Sequence, residues 1–130
     1  MYLKTEALSL RYFAKYRWYL KALGAKRSEK QKIIADINSG LISRDTLDEN
    51  WQRSLNRDIA TIKRRLKKIE ETVDSLPDTS EFFPCKLLLR LHFIMGMTMT
   101  DTAAAMNVSV STLRRIYDRT VKYFDRYPPE

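Results

Sequence analysis

The chain has 130 residues, enough for one domain or two small helical ones. Its 24 Lys and Arg against 16 Asp and Glu give a formal net charge of +8, which favours a polyanionic partner, most commonly nucleic acid. The single cysteine excludes an internal disulfide and favours a cytoplasmic location, and no apolar run approaches the roughly 18 residues that a membrane span needs.

Composition predicts an all-α fold. The chain has three glycines and four prolines, and it lacks the alternation of apolar and polar residues that is typical of strands. Basic residues between Lys4 and Lys21 interrupt each candidate apolar core near the N-terminus, so we expect no signal peptide.

Two helices are predicted in the first 40 residues. The first extends from about Glu6 to Leu23, and we expect Gly24 to end it. The second extends from about Glu29 to Asn38, and Ser28 with Gln31 would form a capping box at its start. The apolar stripe of the first helix has helical spacing and consists of Leu8, Tyr12, Tyr16, Tyr19 and Leu23.

A third, long helix is predicted between a capping box at Thr46 and Glu49 and a stop at Pro77. Its apolar residues are spaced by three and four: Trp51, Leu55, Ile59, Ile62, Leu66, Ile69, Val73 and Leu76. So narrow a seam needs a partner, either the first two helices folded back or a second copy of the chain in a homo-oligomer. Basic residues flank the seam, where they either contact nucleic acid or solvate the helix: Lys63, Arg64, Arg65, Lys67 and Lys68.

The segment 76–80 is the clearest breakpoint. We expect residues 1–76 to form a helical hairpin or coiled-coil unit for oligomerisation or partner contact. Residues 77–130 would form a second domain, in which Asp78 or Ser80 caps the next helix and Pro84 lies near its first turn.

Residues 87–124 predict a helix-turn-helix. Gly96 would end one helix with a positive φ, and Thr98 would cap the next, with Asp101 as its capping partner. Asn107 suits a left-handed turn, and Ser109 would cap the last helix. Leu113 and Ile116 would anchor that helix to the core.

The exposed residues of the last helix are the candidate DNA-binding residues. Arg114 and Arg115 can bind guanine or phosphate, the alternative being a solvated helix surface. Lys122 further along the helix and Arg90 before the motif suit contacts to the DNA backbone. The complete candidate set is Val110, Ser111, Thr112, Arg114, Arg115, Arg119, Lys122 and Arg90.

The sequence offers no catalytic constellation, so we expect no enzymatic activity and no cofactor. It has no glycine-rich phosphate loop, no paired carboxylates and no metal-ligand spacing. His92 stands without other ligands and is interpreted as a packed or half-exposed residue, and Cys85 as an inert core thiol.

Residues 76–124 resemble region 4 of the sigma-70 class of RNA polymerase factors. The resemblance lies in four segments: residues 89–93, residues 96–98, the turn 103–108 and residues 109–115. With residues 73–77 before it and residues 115–119 at its end, the segment more specifically resembles the sigma-like transcriptional regulators of phages and prophages in Gram-positive bacteria, of the RinA and ArpU types. It departs from that pattern at Thr102, Asn107 and Val110, where an apolar residue, a glycine and a basic residue are usual.

This resemblance implies a double-stranded DNA reader that acts at a promoter, with RNA polymerase as a further candidate partner. It places Val110, Ser111, Thr112, Arg114 and Arg115 in the major groove. The first 75 residues show no recognisable region 2, so the chain would not be a complete sigma factor.

We therefore predict a sequence-specific, DNA-binding transcriptional regulator, with two alternatives. The first is a small terminase-type subunit that recognises packaging DNA and assembles as a ring. The second is an adaptor whose helix-turn-helix contacts RNA polymerase rather than DNA.

Overall fold

The computed structural model describes residues 7–43 and 50–129, and within these ranges the protein is all-helical and contains no strand. A short 3-10 turn at Leu8–Leu10 precedes the first helix. The five helices are α1 (Arg11–Asn38), α2 (Trp51–Asp74), α3 (Phe83–Leu88), α4 (Met99–Met106) and α5 (Val110–Arg126). Among the described helices, none combines the length and the apolar character that crossing a membrane requires.

Helix α1 continues through Gly24 as one helix of 28 residues, so the prediction of two helices divided at Gly24 was wrong. Ser28 consequently lies inside the helix rather than at a cap. A single glycine costs a helix interior only about 1 kcal/mol, so it does not by itself end a helix. The glycine that follows the helix end is Gly40, with φ +81. The predicted start at Glu6 lies outside the described residues.

Helix α2 buries five of the eight residues of the predicted seam, while Trp51, Ile59 and Ile62 are half-buried. The buried residues are Leu55, Leu66, Ile69 and Val73 within the helix and Leu76 just beyond its end. The helix ends at Asp74, three residues before Pro77. The predicted capping box of Thr46 and Glu49 lies outside the described residues.

Residues Tyr19–Lys67 form one compact unit, in which α1 and α2 pair antiparallel. The phenol oxygen of Tyr19 accepts a hydrogen bond from Arg65 (3.1 Å), and Lys26 pairs with Asp58 (3.4 Å). Farther along α1, the ammonium of Lys30 donates to the side-chain oxygen of Asn56 (2.7 Å). Of the two partners that the sequence left open for the long helix, the structure contains the intramolecular one.

The second compact unit consists of Met1–Trp18 and Lys68–Glu130, with residues 7–18 and 68–129 described. Its core holds Leu10 and Phe13, both fully buried. The Phe13 ring packs edge-on against Phe124, with 4.9 Å between centroids, and lies 6.2 Å from Phe93. The start of α1 thus belongs with the C-terminal helices, whereas the sequence suggested a division at residue 76.

The buried stripe of α1 is displaced from the predicted one. Tyr16 and Leu23 are buried as expected, but Leu8 is 77% exposed. The prediction extended helical spacing back to Leu8, whereas the chain there forms a 3-10 turn that directs Leu10 inward.

Helix α3 begins without a side-chain cap, so neither Asp78 nor Ser80 takes the predicted role. Asp78 instead pairs with the ammonium of Lys86, and this ion pair lowers the pKa of Asp78. Pro84 lies in the first turn, as predicted. The chain continues from α3 as a π-helical turn at Leu89–Ile94 and reaches Gly96, whose φ of +76 confirms the predicted helix stop.

Candidate nucleic-acid interface

Helix α4 is fixed at its start by two hydroxyl groups. The side chain of Thr98 accepts a hydrogen bond from the backbone N–H of Asp101 (3.1 Å), which confirms the predicted cap. Thr102 is completely buried, and its hydroxyl donates to the carbonyl of Thr98 (2.7 Å). A polar residue is therefore accommodated at this core position because the helix itself satisfies its hydroxyl.

A tight turn joins α4 to α5. Asn107 adopts the left-handed conformation (φ 58, ψ 44), as predicted. The N–H of Asn107 donates to the carbonyl of Ala104 (3.1 Å), and the N–H of Val108 donates to that of Ala103 (3.0 Å). These bonds satisfy the last carbonyls of α4 and direct the chain back for the next helix.

Helix α5 begins at a cap formed by Ser109, as predicted. Its hydroxyl accepts from the N–H of Thr112 (3.1 Å) and donates to the Thr112 hydroxyl (2.9 Å). The Ser111 hydroxyl lies 3.1 Å from the same oxygen. Three hydroxyl groups thus cluster at the helix N-terminus, where the backbone dipole favours an anion.

One side of α5 is anchored in the core. Leu113, Ile116, Thr120 and Phe124 are buried, with spacings of three, four and four residues. The Thr120 hydroxyl donates to the carbonyl of Ile116 (2.8 Å) and needs no further partner. This anchoring fixes which residues of α5 can face a ligand.

The opposite side of α5 is open at its N-terminal end. Arg114 and Arg115 are exposed, and neither has a hydrogen bond or ion pair with another described residue. Val110 is 49% exposed, and Ser111 is exposed beside it. The structure therefore gathers four of the eight candidate residues at one end of one helix.

The other four candidates have different surroundings. Lys122 is exposed two turns beyond Arg115, whereas Thr112 is half-buried within the hydroxyl cluster. Arg119 donates to the backbone carbonyl of Glu81 (2.9 Å), and Arg90 pairs with the carboxylate of Asp74. A phosphate contact from Arg90 would have to compete with that carboxylate.

Arg17 is a basic residue that the sequence did not place near this region. Its guanidinium donates to the carbonyl of Ile94 (3.2 Å) and covers Gly96, where an added Cβ would lie 3.0 Å from Nε. The turn before α4 is therefore braced by a residue 77 positions earlier in the chain. No local pattern could have indicated this contact.

The side chains of His92 and Cys85, which could in principle ligate a metal or act as nucleophiles, have packing roles. His92 is half-buried, with Nδ1 2.7 Å from the carbonyl of Met97 and its ring edge-on to Phe93. Cys85 is buried, and burial raises the pKa of its thiol, which keeps it neutral. In the described part of the chain, no three histidine, cysteine or carboxylate side chains are grouped so as to hold a metal ion.

Comparison with known proteins identified no relative. A scan against protein-family models, a search of curated proteins and a search of solved structures each found no match to this chain.

Proposed function

We propose that the protein is a sequence-specific transcriptional regulator that binds double-stranded DNA with α5. The observation that carries this proposal is the pair of exposed, unpaired guanidinium groups of Arg114 and Arg115. They lie near the front of a helix whose opposite side is anchored in the core. In this proposal α4, the turn 107–109 and α5 form a helix-turn-helix.

The roles of the α5 residues follow from their chemistry. Arginine binds guanine O6 and N7 through two parallel hydrogen bonds, and Arg114 and Arg115 are available to do so. Val110 would contact a thymine methyl group, and Ser111 would donate to a phosphate at the helix N-terminus. Lys122 would contact the DNA backbone where α5 leaves the groove.

The charge of α5 also supports DNA binding by this helix. Helix α5 contains five Lys and Arg and two Asp, so its net charge attracts an anion, although Asp118 lies one turn beyond Arg114. Each phosphate contact that releases a counterion makes log K fall with log salt by a slope of about 0.9. Binding should therefore weaken steeply as salt is raised.

Transcription is the process that the resemblance of residues 76–124 to sigma region 4 supports. Such a domain would bind at a promoter, and RNA polymerase would be a second partner. The hairpin unit of residues 19–67 would then provide additional binding surface.

Selection of random duplex DNA by the purified protein tests the proposal. We expect one enriched motif, which the double variant Arg114→Ala, Arg115→Ala no longer enriches. The matched control is Lys21→Ala, Lys32→Ala, which removes two exposed charges from α1 and should enrich the same motif. A palindromic motif would indicate that the protein binds as a dimer.

The alternatives predict different results. Salt-sensitive binding without an enriched motif would contradict sequence-specific recognition. A variant without Arg114 and Arg115 that keeps its full activity in transcription would favour an adaptor of RNA polymerase. A ring of many copies in light scattering would favour a terminase-type subunit.

A further inference from the structure

Half of the basic residues of the chain lie in the compact unit of residues 19–67. Residues 19–67 contain 12 of the 24 Lys and Arg but 6 of the 16 Asp and Glu. Within the part of α2 that belongs to this unit, residues 51–67, six residues are basic and one, Asp58, is acidic. Because Asp58 is paired with Lys26, that part of α2 offers no unpaired carboxylate.

Helical periodicity places most of this charge on one side of α2. Four exposed basic residues, at relative positions 0, 4, 11 and 14, lie on the side opposite the buried Leu55 and Leu66. We call them the α2 basic stripe: Arg53, Arg57, Arg64 and Lys67. At 1.5 Å per residue the stripe is about 21 Å long.

Among the described residues, no ion pair neutralises the charges of the stripe. Arg53 and Arg64 contact neutral oxygens of Asn50 (3.3 Å) and Thr61 (3.2 Å) on the same side of the chain, so their charges are not neutralised. Arg65, in contrast, lies outside the stripe and donates to Tyr19 on α1.

Solvation of the hairpin does not require such a stripe. The corresponding outer side of α1 in this unit carries two lysines, the acidic Glu29 and Asp36, and small residues such as Ala25 and Ser28. Both helices present a solvent face, yet the arginines are concentrated on α2.

We propose that the α2 basic stripe binds the phosphate backbone of duplex DNA without reading its sequence. The choice of duplex DNA rests on the proposed function, whereas the choice of a polyanion rests on the stripe itself. Its length of about 21 Å is less than one helical turn of DNA, about 34 Å, so it can follow one stretch of backbone.

Two other kinds of partner fit the stripe less well. A protein interface needs apolar or aromatic anchors at its centre, and the residue between Arg57 and Arg64 that faces the same side is Ala60. A membrane-surface helix needs a free apolar face, whereas Leu55 and Leu66 of α2 are buried.

The two surfaces would act differently. The stripe adds affinity for any duplex through counterion release, and α5 discriminates among sequences. Removal of the stripe should therefore weaken binding to all duplexes by a similar factor and leave the selected motif unchanged.

The test uses the full chain and a fluorescent duplex of random sequence, with affinity measured by anisotropy across a range of salt concentrations. We expect the double variant Arg57→Gln, Arg64→Gln to bind at least about tenfold more weakly at low salt and to reduce the salt slope by about 1.8. The control Lys21→Gln, Lys32→Gln removes the same charge from α1 and should change affinity less than about twofold. Circular dichroism verifies that both variants stay helical.

Each outcome is decisive. Equal losses in the two variants would mean that net charge alone matters and would overturn the proposal, as would unchanged binding by the α2 variant. If the α2 variant loses affinity while the unaltered protein enriches no motif, the result supports DNA binding by the stripe and contradicts the proposed function. If the α2 variant keeps full affinity while a motif is enriched, the result contradicts DNA binding by the stripe and supports the proposed function.

Discussion

Asn107 determines how α5 leaves the turn. Its φ of 58 lies in the left-handed region, which most side chains avoid because Cβ crowds the following carbonyl. Among the described residues other than glycine, it alone has a positive φ. The orientation of Arg114 and Arg115 depends on this turn, since the turn fixes the start of α5.

Substitution at Asn107 should therefore separate backbone strain from side-chain loss. We expect Asn107→Gly to keep the free energy of unfolding within about 0.5 kcal/mol of the unaltered protein, because glycine adopts this conformation readily. Asn107→Val should cost at least about 1 kcal/mol, because a β-branched residue is strained there. Urea unfolding measures both values, and equal stabilities of the two variants would contradict the left-handed conformation of residue 107.

Roles that depend on neighbours in sequence were predictable around α4 and α5, whereas the caps predicted at Ser28 and at Asp78 or Ser80 were wrong. The caps at Thr98 and Ser109 and the left-handed Asn107 each depend on a few adjacent positions, and all three are confirmed. The bond from Arg119 to Glu81 and the bond from Arg17 to Ile94 depend on tertiary packing across 38 and 77 positions. No local spacing encodes them.

At the scale of elements, the uninterrupted α1 shows that a single glycine in the sequence does not by itself predict the end of a helix. Gly24 is exposed, its φ is not positive, and a Cβ built there meets nothing within 4 Å. Gly96, in contrast, has φ +76 and lies against the Arg17 guanidinium. The two glycines look alike in sequence, and the backbone conformation distinguishes them.

Alanine substitutions at these glycines should have opposite effects. We expect Gly24→Ala to stabilise the protein by about 0.5–1 kcal/mol, because alanine lowers the entropy cost of a helix interior. That gain corresponds to a rise in Tm of about 2–5 °C. Gly96→Ala should destabilise it by about 1 kcal/mol or more, because it adds left-handed strain and displaces Arg17. Thermal unfolding followed by circular dichroism measures both, and a lower Tm for Gly24→Ala would contradict a continuous α1.

At the scale of the whole molecule, each of α1 and α2 contributes to both compact units, which a boundary chosen from sequence alone did not anticipate. The Pro77 region looks like a linker because it lacks helical periodicity. What binds residues 7–18 to the C-terminal helices is the burial of Leu10 and Phe13, and such long-range packing is invisible in local patterns.

A fragment of residues 77–130 should therefore be unable to fold stably, although it contains α3, α4 and α5 complete. Without Phe13, the rings of Phe93 and Phe124 lose the residue that packs against them.

In the full chain, Phe13→Ala should cost about 3–5 kcal/mol, the usual penalty for truncating a buried phenylalanine. The control Leu8→Ala, at a side chain 77% exposed, should cost less than about 0.5 kcal/mol. Urea unfolding measures the variants and circular dichroism the fragment. A fragment that melts cooperatively near the Tm of the full chain would show that the C-terminal helices hold their own core, and that the start of α1 is dispensable to the surface that presents Arg114 and Arg115.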